Sequence, residues 1–268
     1  MSTHEPLADR DGTSAPDNGA GDPSRSAAVP AEAAAGRSWL PRRPAGQLLV
    51  VALCLLLLAL VNTWVAQPFA IPSQSMENTL RVGDRVVVNK LAYSFGGHVH
   101  RGDVVVFDGR GSFLPDDAAG PTGIGGALRQ LGSYLGLAAP TENDYVKRVV
   151  GVGGDRVVCC DTDGRITVNG VPLDESGYLF PGDDASSVPF DVQVPEGKLF
   201  MMGDHRSDSR DSRDHLGEPG GGFVPEAKVI GRADWVVYPI GHWQHLRRPG
   251  AYDAVDAAGR SGRHGDQG

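Results

Sequence analysis

Lysine is scarce in this chain. Of 25 basic residues only four are lysines, at positions 90, 147, 198 and 228, and the formal net charge over 268 residues is −8. Phosphate contacts need a concentrated basic surface, so this balance excludes a general nucleic-acid binder. With so few lysines, each one calls for a reason. Cysteine is equally sparse, with three in all. Cys54 falls in an apolar run and reads as filler. Cys159 and Cys160 are adjacent and, within a strand, point to opposite faces, which favours two free thiols over a bond between neighbours. His98, His100, His205 and His215 have no third ligand at useful spacing, so neither a metal nor another cofactor is expected. Residues 1–36 lack Phe, Tyr, Trp and Ile and are rich in Ala, Gly, Pro, Ser and Asp. A segment of that kind cannot bury a core, and residues 1–45 read as a disordered tail. Residues 248–268, small and charged, read the same way.

There is a single long apolar run. Residues 48–61 are unbroken, and reading on to Ala66 gives about 20 residues, the length a helix needs to cross a bilayer core. Arg37, Arg42 and Arg43 precede it and no Lys or Arg follows until Arg81. The positive-inside rule therefore places the N-terminus in the cytoplasm and the rest of the chain outside, with Trp64 at the outer interface and Pro68 ending the helix. A removable signal peptide is disfavoured: the tail before the basic residues is long, and Trp64 or Pro68 would occupy the position that cleavage wants small. Residues 46–67 are expected to remain as a transmembrane anchor.

Beyond the anchor the pattern shifts to short Val-rich runs bounded by Gly, Asp, Pro or Asn: "RVVVNKL", "DVVVF", "DYVKRVVGV", "DRVVCC", "RITVNGVPL", "KLFMMGD" and "ADWVVYPI". These predict strands, and Asn169-Gly170 predicts a hairpin turn. Residues 68–247 thus read as one mainly β, antiparallel, barrel-like domain preceded by a transmembrane helix. Residues 109–143 interrupt it as a Gly-, Pro- and Asp-rich insertion, with one short amphipathic helix around "GALRQLGSYLGL".

Two segments carry candidate chemistry. "PSQSM" places Ser73 and Ser75 just past the anchor, and "YVKRVVGVGGD" puts Lys147 inside an apolar strand. Strand alternation sets Tyr145, Lys147 and Val149 on one face and Val146, Arg148 and Val150 on the other. A lysine there either reaches water or is desolvated, and desolvation lowers its pKa. A neutral amine beside a serine hydroxyl can act as its general base. Spacing alone leaves open that the serines cap turns and that the lysine extends to solvent.

"PSQSMENTL", "GDRVVVNK", "RGDVVVF", "YVKRVVGVGGD" and "GDHRSDSRDSR" stand in the order and approximate spacing of the sequence boxes of type I signal peptidases, the leader peptidases of the bacterial plasma membrane. The set resembles that family over residues 71–213. The resemblance implies a membrane-anchored serine endopeptidase, single-pass, that removes signal peptides from secretory precursor proteins after Ala-x-Ala sites. It implies Ser75 as nucleophile, Lys147 as general base and Ser73 as the side-chain donor to the oxyanion. From the last box, Ser209 would orient the Lys147 amine, Asp211, Ser212 and Arg213 would stabilise the loop around it, and Asp204 and Arg148 would belong to a supporting charge network. Ile71, Pro72, Met76, Leu80 and Tyr145 would line shallow substrate pockets, and residues 143–145 would offer a pairing edge. For all of these lining residues but Tyr145, core packing accounts for the pattern equally well.

The chain departs from the boxes at Asn78, often a proline, and at His205, in place of an asparagine. Its partners would be precursor proteins and the lipid bilayer. Two other classes remain at this point: self-cleaving repressor proteases, which share a β-fold and a serine-lysine pair but are soluble, and a catalytically silent tethered scaffold.

Overall fold

The computed structural model describes residues 44–116 and 143–264. The expected tail before residue 44 and the amphipathic helix of the 109–143 insertion lie outside the described residues. The first element is helix α1, Pro44–Trp64. Proline suits its first position, where no intrahelical N–H is needed. Nineteen of its residues, Gly46–Trp64, are long and apolar enough to cross a membrane, and its leucines stand exposed, Leu48 at 69%. The helix stops before Pro68. Val65 N–H closes the last turn on Val61 O (2.8 Å), and Val65 O accepts from Lys90 N–H (2.9 Å). The chain then enters strand β1, Ala66–Ala70, so residues 66 and 67 belong to the sheet and not to the anchor. Pro68 is tolerated there because β1 is an edge strand.

The remaining strands are β2 (Arg85–Asn89), β3 (Val104–Asp108), β4 (Asp144–Val152), β5 (Arg156–Cys159), β6 (Thr167–Val168), β7 (Val171–Pro172), β8 (Phe190–Gln193), β9 (Lys198–Met202), β10 (Val224–Pro225), β11 (Val229–Tyr238) and β12 (Gln244–His245). The larger sheet runs β1-β2-β11-β3-β4-β9-β10, with β12 on β11; the smaller runs β7-β6-β5-β8. Every strand pairing is antiparallel, as the mainly β reading requires. Asn169 and Gly170 turn the β6–β7 hairpin with φ of 53° and 79°.

The valine runs are nearly continuous because the large sheet is covered on both sides. Val104 and Val106 of β3 join Val86, Val88 and Val236 in one cluster, while Val105 and Phe107 join Val149, Leu199 and Met201 in a second. The alternate residues Val150, Phe200 and Met202 face a third cluster shared with the small sheet, through Val157, Val168 and Phe190. Each fully buried aliphatic side chain contributes about 1.5–3 kcal/mol.

Two expectations are corrected. Residues 248–268 do not form an unstructured tail where they are described: helix α2, Asp253–His264, follows a short turn in which Tyr252 is completely buried, and Val255 is 1% exposed. Tyr252 and Val255 dock on the third cluster, and Asp256 pairs with Arg101 and Arg248, contacts that hold a segment which composition alone marks as unable to fold. Cys159 and Cys160 are bonded to each other and are not free. Strand β5 ends at Cys159, so strand alternation no longer separates the two side chains.

Candidate active site

Ser75 sits in the loop between β1 and β2. Ile71 closes the neck of that loop with two backbone bonds, its N–H to Asp84 O and its carbonyl to Gly83 N–H, both 2.9 Å. Ile71, Met76 and Leu80 are 3%, 1% and 0% exposed and pin the loop into the first cluster. Met76 and Leu80 therefore present no surface to a substrate, and their role is packing. Pro72 is exposed, and Tyr145 is half-buried and stacked on Phe107. Ser75 itself, next to the buried Met76, is 8% exposed.

Strand β4 brings Lys147 to this loop across 72 residues of sequence. The Lys147 Nζ stands 2.6 Å from Ser75 Oγ. Burial depresses the lysine pKa from its ordinary 10.5 to about 8, while Asp211 and Asp204 push back. Both carboxylates are already committed to arginines. Asp211 bonds Arg213 Nε through Oδ1 (2.8 Å) and Arg213 NH2 through Oδ2 (2.9 Å), and accepts from Gly203 N–H (3.0 Å). Burial by itself would raise the Asp211 carboxyl, but these bonds and the arginine charge hold it below the usual carboxylate range. Asp204 is gripped by Arg148, Nε to Oδ1 at 2.7 Å and NH2 to Oδ2 at 2.6 Å. Among the described residues no carboxylate lies within ion-pairing distance of Lys147. An amine without a counter-ion in a dry site favours its neutral form.

Ser73, exposed, has its Oγ 3.4 Å from Ser75 Oγ. The Ser209 hydroxyl donates to Asp211 Oδ2 at 2.8 Å, and no hydrogen bond joins it to the Lys147 amine. Ser212 ties the same loop to the sheet, accepting from Met201 N–H (2.9 Å) and donating to Gly222 O (2.7 Å). The loop meets the nucleophile directly, since His205 N–H donates to Ser75 O at 3.2 Å.

Several participants were not named from the sequence. Thr79 donates to Asp204 and accepts from Arg148 NH2 at 3.1 Å. Arg206 forms a buried ion pair with Glu175, NH2 to Oε1 at 2.5 Å, and its Nε donates to Gly203 O at 2.9 Å. Arg206 lies inside "GDHRSDSRDSR", so its position was a signal; Glu175 is far away in sequence and carried none.

Among the described residues, no strand pairs with the edge of β4 beside Lys147. β3 pairs with β4 along residues 144–148, whereas β9 joins the other edge only from Arg148, opposite Met202. Residues 145–147 consequently present a strand edge next to Ser75, and an extended peptide can add to such an edge through main-chain bonds.

The comparisons with known proteins agree on one group. The family model described as "Signal peptidase, peptidase S26" matches residues 45–238. A "Probable signal peptidase I" of Mycobacterium leprae (strain TN) is 38% identical, covering 82% of this chain and 86% of that protein. A "Signal peptidase I" of Mycobacterium tuberculosis (strain CDC 1551 / Oshkosh) is 41% identical over 69% of each chain. A "Signal peptidase I" of Haemophilus influenzae is 32% identical over 66% of this chain and 64% of that protein.

Proposed function

The chain belongs to the signal peptidase family, peptidase S26, and from that premise we propose a membrane-anchored serine endopeptidase that works through Ser75 and Lys147 on exported precursors. The observation that carries the reading is the 2.6 Å approach of a buried, unpaired amine to the Ser75 hydroxyl. Neutral Lys147 takes the proton of Ser75 Oγ as that oxygen bonds to the scissile carbonyl carbon. The carbonyl electrons move to oxygen, and the Ser75 backbone N–H together with the Ser73 hydroxyl stabilises that oxyanion. A preorganised donor of this kind contributes about 2.7–4 kcal/mol. The Lys147 ammonium then gives its proton to the departing amine, leaving an ester on Ser75. Lys147 next removes a proton from water as its oxygen bonds to the ester carbon, and when the Ser75 Oγ–carbon bond breaks the Lys147 ammonium returns that proton to Ser75 Oγ, releasing the new carboxyl terminus.

The precursor lies extended against residues 145–147. Its side chains meet Pro72 and Tyr145, at the surface above the buried Ile71. With Ile71, Met76 and Leu80 packed into the core beneath, little room is left for bulky side chains, which supports cleavage after Ala-x-Ala. The helix α1 is the anchor, with the N-terminus in the cytoplasm and the β-domain outside, where precursor cleavage sites emerge.

The test is cleavage of a membrane-inserted precursor by purified protein. Ser75→Ala and Lys147→Met should each abolish cutting, and a precursor with bulky residues at the first and third positions before the cut should resist the parent enzyme. Full activity in either variant would remove the pair from the mechanism.

A further inference from the structure

The family match ends at residue 238, yet the chain beyond it reaches the interior. Tyr252 is completely buried beside Val150, Phe200 and Met202. Its ring fits so closely that a Cβ on Gly102 would meet it at 2.7 Å. Its hydroxyl lies 3.0 Å from that of Tyr178. Tyr178 gives its one hydrogen to Glu175 Oε1, at 2.8 Å, so Tyr252 is the donor of the tyrosine pair. Glu175 holds Arg206 with both oxygens, NH1 at 3.1 Å and NH2 at 2.5 Å. Arg206 then holds Gly203 O through Nε (2.9 Å), and its own carbonyl accepts from Arg213 NH2 (2.9 Å).

The same tyrosines support the other buried arginine. The Arg148 guanidinium lies 4.2 Å over the centre of the Tyr178 ring, and its NH1 donates at 2.8 Å to the carbonyl of Gly102, the residue Tyr252 packs against. Outside this core, Asp256 of α2 accepts from Arg101 NH1 (2.7 Å) and from Arg248, clamping the segment to the loop before β3. Buried ion pairs keep a defined geometry only when every partner is satisfied.

We propose that Tyr252 is a positioning residue for the Ser75–Lys147 pair, its hydroxyl aligning the Tyr178–Glu175–Arg206 chain that fixes the turn at Gly203 against the Ser75 loop. The inference rests on the reading of that pair as the catalytic one. Residues 249–256 are thereby part of the working enzyme although they lie past the matched region.

The experiment uses the full chain in detergent with a precursor substrate. Tyr252→Phe keeps the ring and removes the hydroxyl. It should lower kcat about tenfold and leave KM within about twofold. Adding Glu175→Gln to it should cost less than the two separate losses combined, because both variants interrupt one chain of bonds, whereas independent packing defects add. Unchanged kcat in Tyr252→Phe, or additive losses in the double variant, overturns the proposal. Should Tyr252→Phe fail to fold, Asp256→Asn, which loosens the segment at its surface, is put through the same cycle, and the same two results decide. An active Ser75→Ala would overturn the catalytic reading and this inference together; an inactive Ser75→Ala beside a fully active Tyr252→Phe overturns this inference alone.

Discussion

Lysine in a strand ordinarily extends its amine to water, and the cost of not doing so is what makes Lys147 useful. At pH 7 an amine with a pKa of about 8 is still mostly protonated, so only a fraction of molecules hold the base form. The kcat/KM of cleavage is expected to climb as pH rises through about 8 and to level off above it, and a profile flat from pH 6 to 9 would count against a lysine base. Stability follows the same linkage. The unfolded lysine holds its proton up to 10.5 and the folded one only to about 8, so stability rises with pH between those values and the penalty is complete below them. Lys147→Met should therefore be dead yet melt higher than the parent at pH 7, with the gap closing toward pH 10. Calorimetry across that range reads the difference directly. The residue was legible because it stands in a Val-rich strand with Tyr145 and Val149 on its own face. Its partner came only from the series of boxes, since periodicity carries no information about which loop a strand will meet.

At the scale of elements, three segments converge: the Ser75 loop, strand β4 and the turn after β9. Gly203 is where the first and third touch. A Cβ there would collide with Ser75 O and with the Ser209 side chain, and Ser75 O is backbone in a loop pinned by Ile71, Met76 and Leu80. Gly203→Ala is expected to destabilise by about 1–3 kcal/mol and to reduce kcat by about 100-fold, the loss that a small misplacement of reacting groups brings. Equal activity in Gly203→Ala and parent would show that the turn gives way freely. The strands were readable from valine runs and turn residues, with β1, β8, β10 and β12 missed because they are short or contain proline. The helix α2 was missed for another reason. It owes its place to Tyr252 and Val255 docking on the third cluster and to Asp256 pairing with Arg101 and Arg248, and contacts so few and so distant in sequence make no period.

For the whole molecule, the anchor and the β-domain divide the work. If α1 crosses the bilayer with its basic flank inside, protease added to spheroplasts should digest the β-domain, and protection would reverse the topology. The domain itself is organised around charge held out of water. Arg148–Asp204, Arg206–Glu175 and Arg213–Asp211 are each almost fully buried. Breaking one member of such a pair typically costs about 3–5 kcal/mol. The first and third engage Asp204 and Asp211, and among the described residues no carboxylate forms an ion pair with Lys147.

The sequence by itself determined the classes of element, a helix long and apolar enough to cross a bilayer, and the series of boxes that marks the family. These depend on local order, on hydrophobic period and turn chemistry, or on a pattern of several motifs in series. Only the tertiary structure decided that Met76 and Leu80 pack and do not line a cleft, that Ser209 bonds Asp211 and not the amine, and that Tyr252 lies behind the site. Each of those depends on which distant segment fills the space beside a side chain, and that is settled by packing and by the pairing of buried polar groups across the fold.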